Sequence, residues 1–182
     1  MRLIEVQPFS TRQQYEAMVD YFICASDEAL RAMGVDRAKL PKREDWIAQV
    51  LADHRRSPET RERFYLAWLL DGEQVGHSSL GKISVGQQAY VHLHLWRPEL
   101  RKCGIGTEFL QGSIDFYFKT FQLQRLLCEP YAENLAPNRV LGKLGFRQIG
   151  RHRTVPGAFA FEQDVNEYQL IRSQTSRHSD SA

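Results

Sequence analysis

Residues 89–121, "AYVHLHLWRPELRKCGIGTEFLQGSIDFYFKTF", constrain the fold more than any other stretch. Apolar–polar alternation over 89–96 predicts a strand, and Pro98 stops it. Past Gly106 the period changes. Phe109, Leu110, Ile114, Tyr117, Phe118 and Phe121 share one face, opposite Glu108, Gln111, Asp115 and Lys119, which predicts an amphipathic helix over about 105–121. No Ser, Thr, Asp or Asn stands immediately before that helix to cap its orphan N–H groups. Arg101 and Lys102 add charge where the helix dipole is already positive, unfavourable by roughly 0.3–1 kcal/mol per charge. A poor helix start of this kind is a good anion site. Backbone donors converge there, and Gly104 and Gly106 permit positive φ and close approach of a ligand.

The rest of the chain predicts a sheet for this unit to join. Residues 2–9 read as a first strand, and 11–32 as one helix capped by Ser10 or Thr11 and closed by Gly34. A second helix follows Pro41, with Trp46, Ile47, Val50 and Leu51 as its buried stripe. "RFYLAWLLDGEQVGHSSLGKI" reads as a hairpin turning at Asp71-Gly72. After the long helix come a short buried strand, "QRLLCEPYA", and a short helix, "APNRVLGKLG", ended by Gly145. Two final strands flank a turn at Pro156-Gly157. The expected fold is α/β (α+β): a mixed, mostly antiparallel seven-stranded sheet with helices on both faces and right-handed crossovers. One domain spans 1–172, and the polar tail 173–182 is expected to be disordered.

Composition excludes several functions. A net charge of +2, with cations dispersed, argues against a nucleic-acid partner or an anionic membrane. Three cysteines, Cys24, Cys103 and Cys128, lack metal-like spacing and suit a reducing compartment. The first ten residues lack the apolar core of a signal peptide, and no run nears the roughly 18 apolar residues of a membrane span. A cytoplasmic protein, monomer or homodimer, is expected.

Two nucleotide motifs fail on the letters. A dinucleotide fingerprint needs glycine where Phe109 stands. The P-loop-like run from Gly76 to Lys82 is followed by Ile83, inside a hairpin strand. The pattern that fits is R-x-x-G-x-G, read as Arg101, Gly104 and Gly106 between strand and helix. With "NLAPNRVLGKLGF" (134–146), whose Asn134, Arg139, Lys143, Gly145 and Phe146 match N-x-x-[AS]-x-R-x-x-x-K-x-G-F, the chain resembles the GNAT superfamily of acyl-CoA N-acyltransferases. This segment and the ending "DVNEYQL" are most similar to the branch that includes ribosomal-protein N-terminal acetyltransferases.

The resemblance implies transfer of an acetyl group from acetyl-CoA, as cosubstrate, to a primary amine on a protein N-terminus or a small molecule, with no metal. It implies an oxyanion donor in the backbone near Leu95 and Trp96, and a pyrophosphate on the amides of Lys102, Cys103, Gly104, Ile105, Gly106 and Thr107, beside Arg101. It also implies Asn134 on the pantetheine arm or adjacent backbone, and Asn138 and Arg139 near the nucleotide end. An alkyl amine with pKa ~10 must shed a proton before attack. Many relatives carry a glutamate base on the strand that here reads "AYVHLHLW". Tyr90, His92, His94 and Trp96 share a face of it, so His92, then His94, are the candidate bases, directly or through water. The alternative is that both merely line a cleft. Glu129 and Glu133 either hold a cationic acceptor or are solvated. Leu141 stands where many members place a tyrosine acid, and Pro137 replaces the usual Ala or Ser. Cys103 is a small loop side chain or a reactive thiol. Phe22, Trp46 and Trp68 line the acceptor pocket or belong to the core. A catalytically silent acyl-CoA sensor or interaction module is the alternative function.

Overall fold

The computed structural model describes residues 2–172; the tail expected to be disordered lies outside them. Seven strands, β1 (Ile4–Pro8), β2 (Arg63–Leu70), β3 (Glu73–Ser84), β4 (Gln88–Leu95), β5 (Arg125–Cys128), β6 (Arg147–Thr154) and β7 (Gln163–Ile171), form one sheet in the order β1-β2-β3-β4-β5-β7-β6. Every neighbouring pair is antiparallel except β4 and β5. The helices are α1 (Arg12–Ile23), α2 (Asp27–Ala32), α3 (Arg43–His54), α4 (Ile105–Thr120) and α5 (Leu135–Lys143). Asp71 and Gly72 both take positive φ, 52° and 83°, which is the two-residue turn that a tight hairpin requires.

The single helix expected over 11–32 is two. Thr11 and Gln14 form a reciprocal capping box on α1, which ends at Ile23. Ser26 then caps α2 by accepting from the Ala29 amide. The letters Ser-Asp-Glu carry that second start signal, and the helical spacing of the apolar residues hides it.

Alternate residues of each strand feed two cores. Phe64, Leu66, Trp68, Leu80 and Val91 pack against Phe109, Ile114 and Tyr117 of α4 and Leu141 of α5. Tyr65 and Ala67 face the other way, onto Tyr15, Met18, Val19 and Phe22 of α1 and Trp46 and Ile47 of α3. Trp68 is thus a core residue on the α4 side, stacked on Phe109 at 5.3 Å, and lines no pocket on the α1 side. Leu141 is fully buried beside it. A polar knot pins α4 to the sheet: the Trp68 indole N–H and the Ser78 hydroxyl both donate to Ser113 Oγ at 2.9 Å. Ser113 Oγ in turn donates to the Phe109 carbonyl at 2.9 Å, and the Ser78 and Tyr117 hydroxyls bond at 2.8 Å.

Two features position the site. First, β4 and β5 pair only over Gln88–Tyr90 with Arg125–Leu127; from Val91 onward β4 has no partner on that side. Second, the segment after α2 is tied to the β6–β7 connection. The Asp36 amide donates to the Phe159 carbonyl and the Lys39 ammonium to the Ala160 carbonyl, both at 2.7 Å, while Gln163 Nε2 donates to the Gly34 carbonyl at 2.9 Å. This strap roofs the α1 side of the sheet beside the gap.

Replacing Ser113 by alanine leaves two buried donors without an acceptor. Urea unfolding of Ser113→Ala is expected to show a loss of about 1–3 kcal/mol per orphaned group, offset only in part by local repacking.

Candidate functional site

The opening between β4 and β5 is bounded below by their last shared pair, Tyr90 and Leu127. Along β4, backbone direction alternates. The Trp96 amide donates to the Val75 carbonyl of β3 at 2.9 Å, so the amide and carbonyl of Leu95 point into the opening. Of the two donors expected there, Trp96 is engaged, and Leu95 has no β5 partner among the described residues. The Leu95 carbonyl accepts from the Arg101 guanidinium at 3.3 Å, which folds that cation back along the edge.

The loop that follows is an amide nest. Lys102 and Gly104 take φ of 64° and 88°, and Gly104 is the left-handed N-cap of α4 with no side-chain cap. The backbone N–H groups from Lys102 through Gly106 make no turn or cap bond to a carbonyl among the described residues, while those of Thr107 and Glu108 return to the Gly104 carbonyl. A Cβ at Gly104 would meet nothing within 4 Å, so the nest is open above. Neither Arg101 nor Lys102 has a carboxylate partner within ion-pair distance among the described residues. Convergent orphan donors, two uncompensated cations and an unobstructed approach fit a pyrophosphate. Cys103 is exposed, and its thiol donates to the Leu100 carbonyl at 3.0 Å.

On the far side of the opening, Asn134 is the N-cap of α5 and makes no side-chain cap bond. Asn138 is spent on the protein itself. Its amide N–H donates to the carbonyls of Tyr131 (3.1 Å) and Asn134 (2.7 Å), and its oxygen accepts from Asn166 at 2.8 Å. The position expected near the nucleotide therefore holds the β5–α5 loop on β7. Arg139 is exposed on α5. Pro137 sits within the first helical turn, where its missing N–H interrupts no helical bond.

The α1 side of the sheet carries the titratable groups in rows. Register places Arg63, Gly81, Tyr90 and Leu127 in one row; Tyr65, Ser79 and His92 in the next; Ala67, His77 and His94 in a third. His77, which the sequence reading overlooked, is buried in the hairpin strand and stacked on His94 at 4.9 Å. Its Nδ1 accepts from the Trp96 indole N–H at 2.9 Å, which puts the ring proton on Nε2. Phe22 and Tyr21 cover His94 with ring centroids at 5.0 and 5.7 Å, and Phe22 packs on Trp46. Burial, then the Arg63 cation, holds His92 well below the usual imidazole range and pushes His94 down to about 4. Burial, followed by its two histidine neighbours, does the same to His77.

Glu129 follows β5 directly and, by strand alternation from Leu127, falls on this face on the far side of the opening. Its side chain is only 13% exposed and lies 3.8 Å from His152 Nε2. Burial raises the Tyr90 phenol, and the charges of Glu129 and Glu167 raise it further, so both carboxylates bear on this face. Glu133 is elsewhere: it accepts from the Tyr131 hydroxyl at 2.8 Å, on the rim of a shallow recess of about 350 Å³ between α2 and α5. A larger recess, about 550 Å³, lies at the opposite end of β4 and β5, lined by Gln87, Gln124 and Arg125, away from all these groups. Among the described residues no three His, Cys or carboxylate side chains converge as a metal site.

A family model described as an acetyltransferase (GNAT) domain matches residues 4–147. None of the curated proteins matches at the level of sequence. Among solved structures, the fold is similar to a ribosomal L7/L12 alpha-N-protein acetyltransferase in complex with coenzyme A, at 18% identity over 92% of this chain and 93% of that one, TM-score 0.73. A ribosomal-protein-S5-alanine acetyltransferase from Vibrio fischeri is similar at 19% identity over 94% of both chains, TM-score 0.73. A putative acetyltransferase from Salmonella typhimurium, solved with acetyl-CoA, is similar at 17% identity over 99% and 98%, TM-score 0.68.

The histidine row has a measurable consequence. Each of the three folded pKa values lies below the unfolded value near 6.5, so the unfolded chain takes up protons first. Their contribution to stability is complete above pH ~6.5 and is lost as pH falls below it. Unfolding free energies measured between pH 7 and pH 5 are expected to fall, and His77→Gln to lessen that fall by about 1 kcal/mol per pH unit averaged over the window.

Proposed function

This chain belongs to the acetyltransferase (GNAT) domain family, whose model spans most of its length, and we propose that it acetylates a primary amine held on the α1 side of the β4–β5 opening. The observation that carries the reading is the amide nest from Lys102 to Gly106, open above and flanked by Arg101, at the lip of a gap in the sheet. Acetyl-CoA supplies an acyl group already activated as a thioester. The loop amides hold its pyrophosphate, and the free edge of β4 and Asn134 flank the pantetheine arm. The Leu95 N–H donates to the carbonyl oxygen as negative charge builds on it.

Proton removal from the amine falls to Glu129, directly or through one water. His94 is covered by Phe22 and Tyr21 and stacked on His77, which gives it to packing, while the Glu129 carboxylate also attracts the ammonium form of the acceptor. His92 then faces Glu129 across the opening as an uncharged polar wall. With Leu141 sealed in the core, the thiolate leaves without a tyrosine acid from that position.

The acceptor is a protein N-terminus or a small amine; likeness in fold to ribosomal-protein acetyltransferases supports the first. The three free thiols, two of them exposed, support a cytoplasmic setting, and no helix among the described residues is long and apolar enough to cross a membrane. The protein acts as a monomer or homodimer without metal. A silent acyl-CoA-binding module shares the nest and differs in turnover.

Two measurements test this. Calorimetric titration with acetyl-CoA is expected to give micromolar binding that Gly104→Asp abolishes. Glycine there sits at φ 88°, and the new carboxylate would occupy the anion site. Absence of binding by the native protein would remove the cofactor assignment. Thiol release with a panel of amines is expected to fall about 10²–10⁴-fold in kcat for Glu129→Gln, with KM for acetyl-CoA unchanged. An equal loss in His92→Ala with full activity in Glu129→Gln would return the base to β4.

A further inference from the structure

Arg63 is a cation on the α1 face that the reaction as described does not use. It opens β2, and its guanidinium lies along Gly81, 3.4 Å from where a Cβ would stand. Gly81 is not among the positive-φ glycines, so its backbone does not require glycine; what its missing side chain provides is room. The cation is half-buried and has no carboxylate within ion-pair distance among the described residues. Asp53, whose carboxylate takes the Arg63 backbone N–H, is occupied: its oxygens also accept the backbone N–H of Glu62 and the Arg56 guanidinium. Arg63 is also close enough to depress all three histidines of the row.

The face is therefore polarised across β4. Arg63 lies on the β2–β3 side, with Lys82 beside it over the Tyr90 ring at 4.5 Å. Glu129 and Glu167 lie on the β5–β7 side. His92, an uncharged imidazole that can donate or accept, stands between. A half-buried cation kept without a partner is destabilising unless something arrives to pair with it.

We propose that the acceptor carries, besides its amine, a carboxylate or phosphate that docks on Arg63 and His92 while the amine faces Glu129. Between β3, which Arg63 overlies, and β5, which carries Glu129, are two strand spacings. Glu129 also stands two residues past the Arg63 row, so the two anchors are about 12 Å apart, and an acceptor with contacts of about 3 Å at each end spans about 6–8 Å. Both an ω-amino acid and a peptide N-terminus with an acidic side chain at its second residue have this chemistry. The inference rests on the amine-acetylation reading, and the experiment separates the two.

Turnover of ε-aminocaproate is compared with n-hexylamine, and of Ala-Glu-Ala amide with Ala-Gln-Ala amide, in the native protein, Arg63→Gln and Arg63→Lys. The native protein is expected to favour the anionic member of at least one pair by about ten- to a hundred-fold in kcat/KM. Arg63→Gln brings that ratio towards one, and Arg63→Lys restores part of it. Preference for the caproate pair identifies a small acid as the source, and preference for the peptide pair an acidic N-terminus. Equal turnover within both pairs, or a preference that survives Arg63→Gln, overturns the anion subsite and leaves acetyl transfer standing. If no amine is turned over, titration of the coenzyme A-loaded protein with N-acetyl-ε-aminocaproate decides. Binding lost in Arg63→Gln upholds the subsite and sinks the acetylation reading; no binding overturns both.

Discussion

Two parallel strands that stop sharing hydrogen bonds while still inside the sheet are the constraint on which this molecule turns. Backbone N–H and C=O groups in a protein interior need partners, yet β4 runs from Val91 to Leu95 with its β5 side unpaired. The rest of the architecture manages that exposure. Arg101 folds back to satisfy the Leu95 carbonyl, β3 holds the opposite edge of β4 in register, and α4 starts where the strand ends. Glycine at 76 lets β3 and β4 approach: a Cβ there would lie 2.5 Å from the His94 carbonyl oxygen. The loop glycine, Gly104, and the strand glycine, Gly76, which pairs with Leu95, both lie at the C-terminal end of β4. They keep backbone within reach of what enters the opening.

The same geometry divides labour between the two faces. The α4 side is apolar apart from the Ser78–Ser113–Tyr117 knot, where each hydroxyl has a partner. The α1 side tolerates three imidazoles, an arginine and two glutamates. A stacked, neutral pair such as His77 and His94 is compatible with an aromatic cluster, because burial removes the charge that burial would penalise. Charge lies towards the edges of that face, with Arg63, Lys82 and the backbone-bonded Asp53 on the β2–β3 side and Glu129 and Glu167 on the β5–β7 side.

Sequence alone carried the strands, the hairpin at Asp71-Gly72 and the loop at 101–107, because turn chemistry and period are local properties, but it merged α1 and α2. It misjudged what depends on pairing. His77 was invisible as a site residue, since only the β3–β4 register brings it under His94. Glu129 and Glu133 looked equivalent four residues apart, yet one prolongs a strand and the other bonds Tyr131 on a loop. Trp96 and Leu95 were indistinguishable as donors until the bond to Val75 fixed which amide turns outward. Asn138 carried a family position but spends its amide on Tyr131, Asn134 and Asn166, the last reached only through tertiary folding.

The strap between the segment after α2 and the β6–β7 connection has a consequence for synthesis on the ribosome. Its bonds join Lys39 to Ala160 and Gly34 to Gln163, residues 121 and 129 apart in the chain. The strand–loop–helix unit with its amide nest is by contrast contiguous over 88–120. A nascent chain can complete the strand–loop–helix unit from local contacts, while the strap waits until residues 159–163 have emerged, since contacts so distant in sequence carry the largest closure entropy. Until then the aromatic floor at Phe22, Trp46 and His94 lacks the Phe159 contact that caps it, leaving that apolar surface as the growing chain's vulnerable interval.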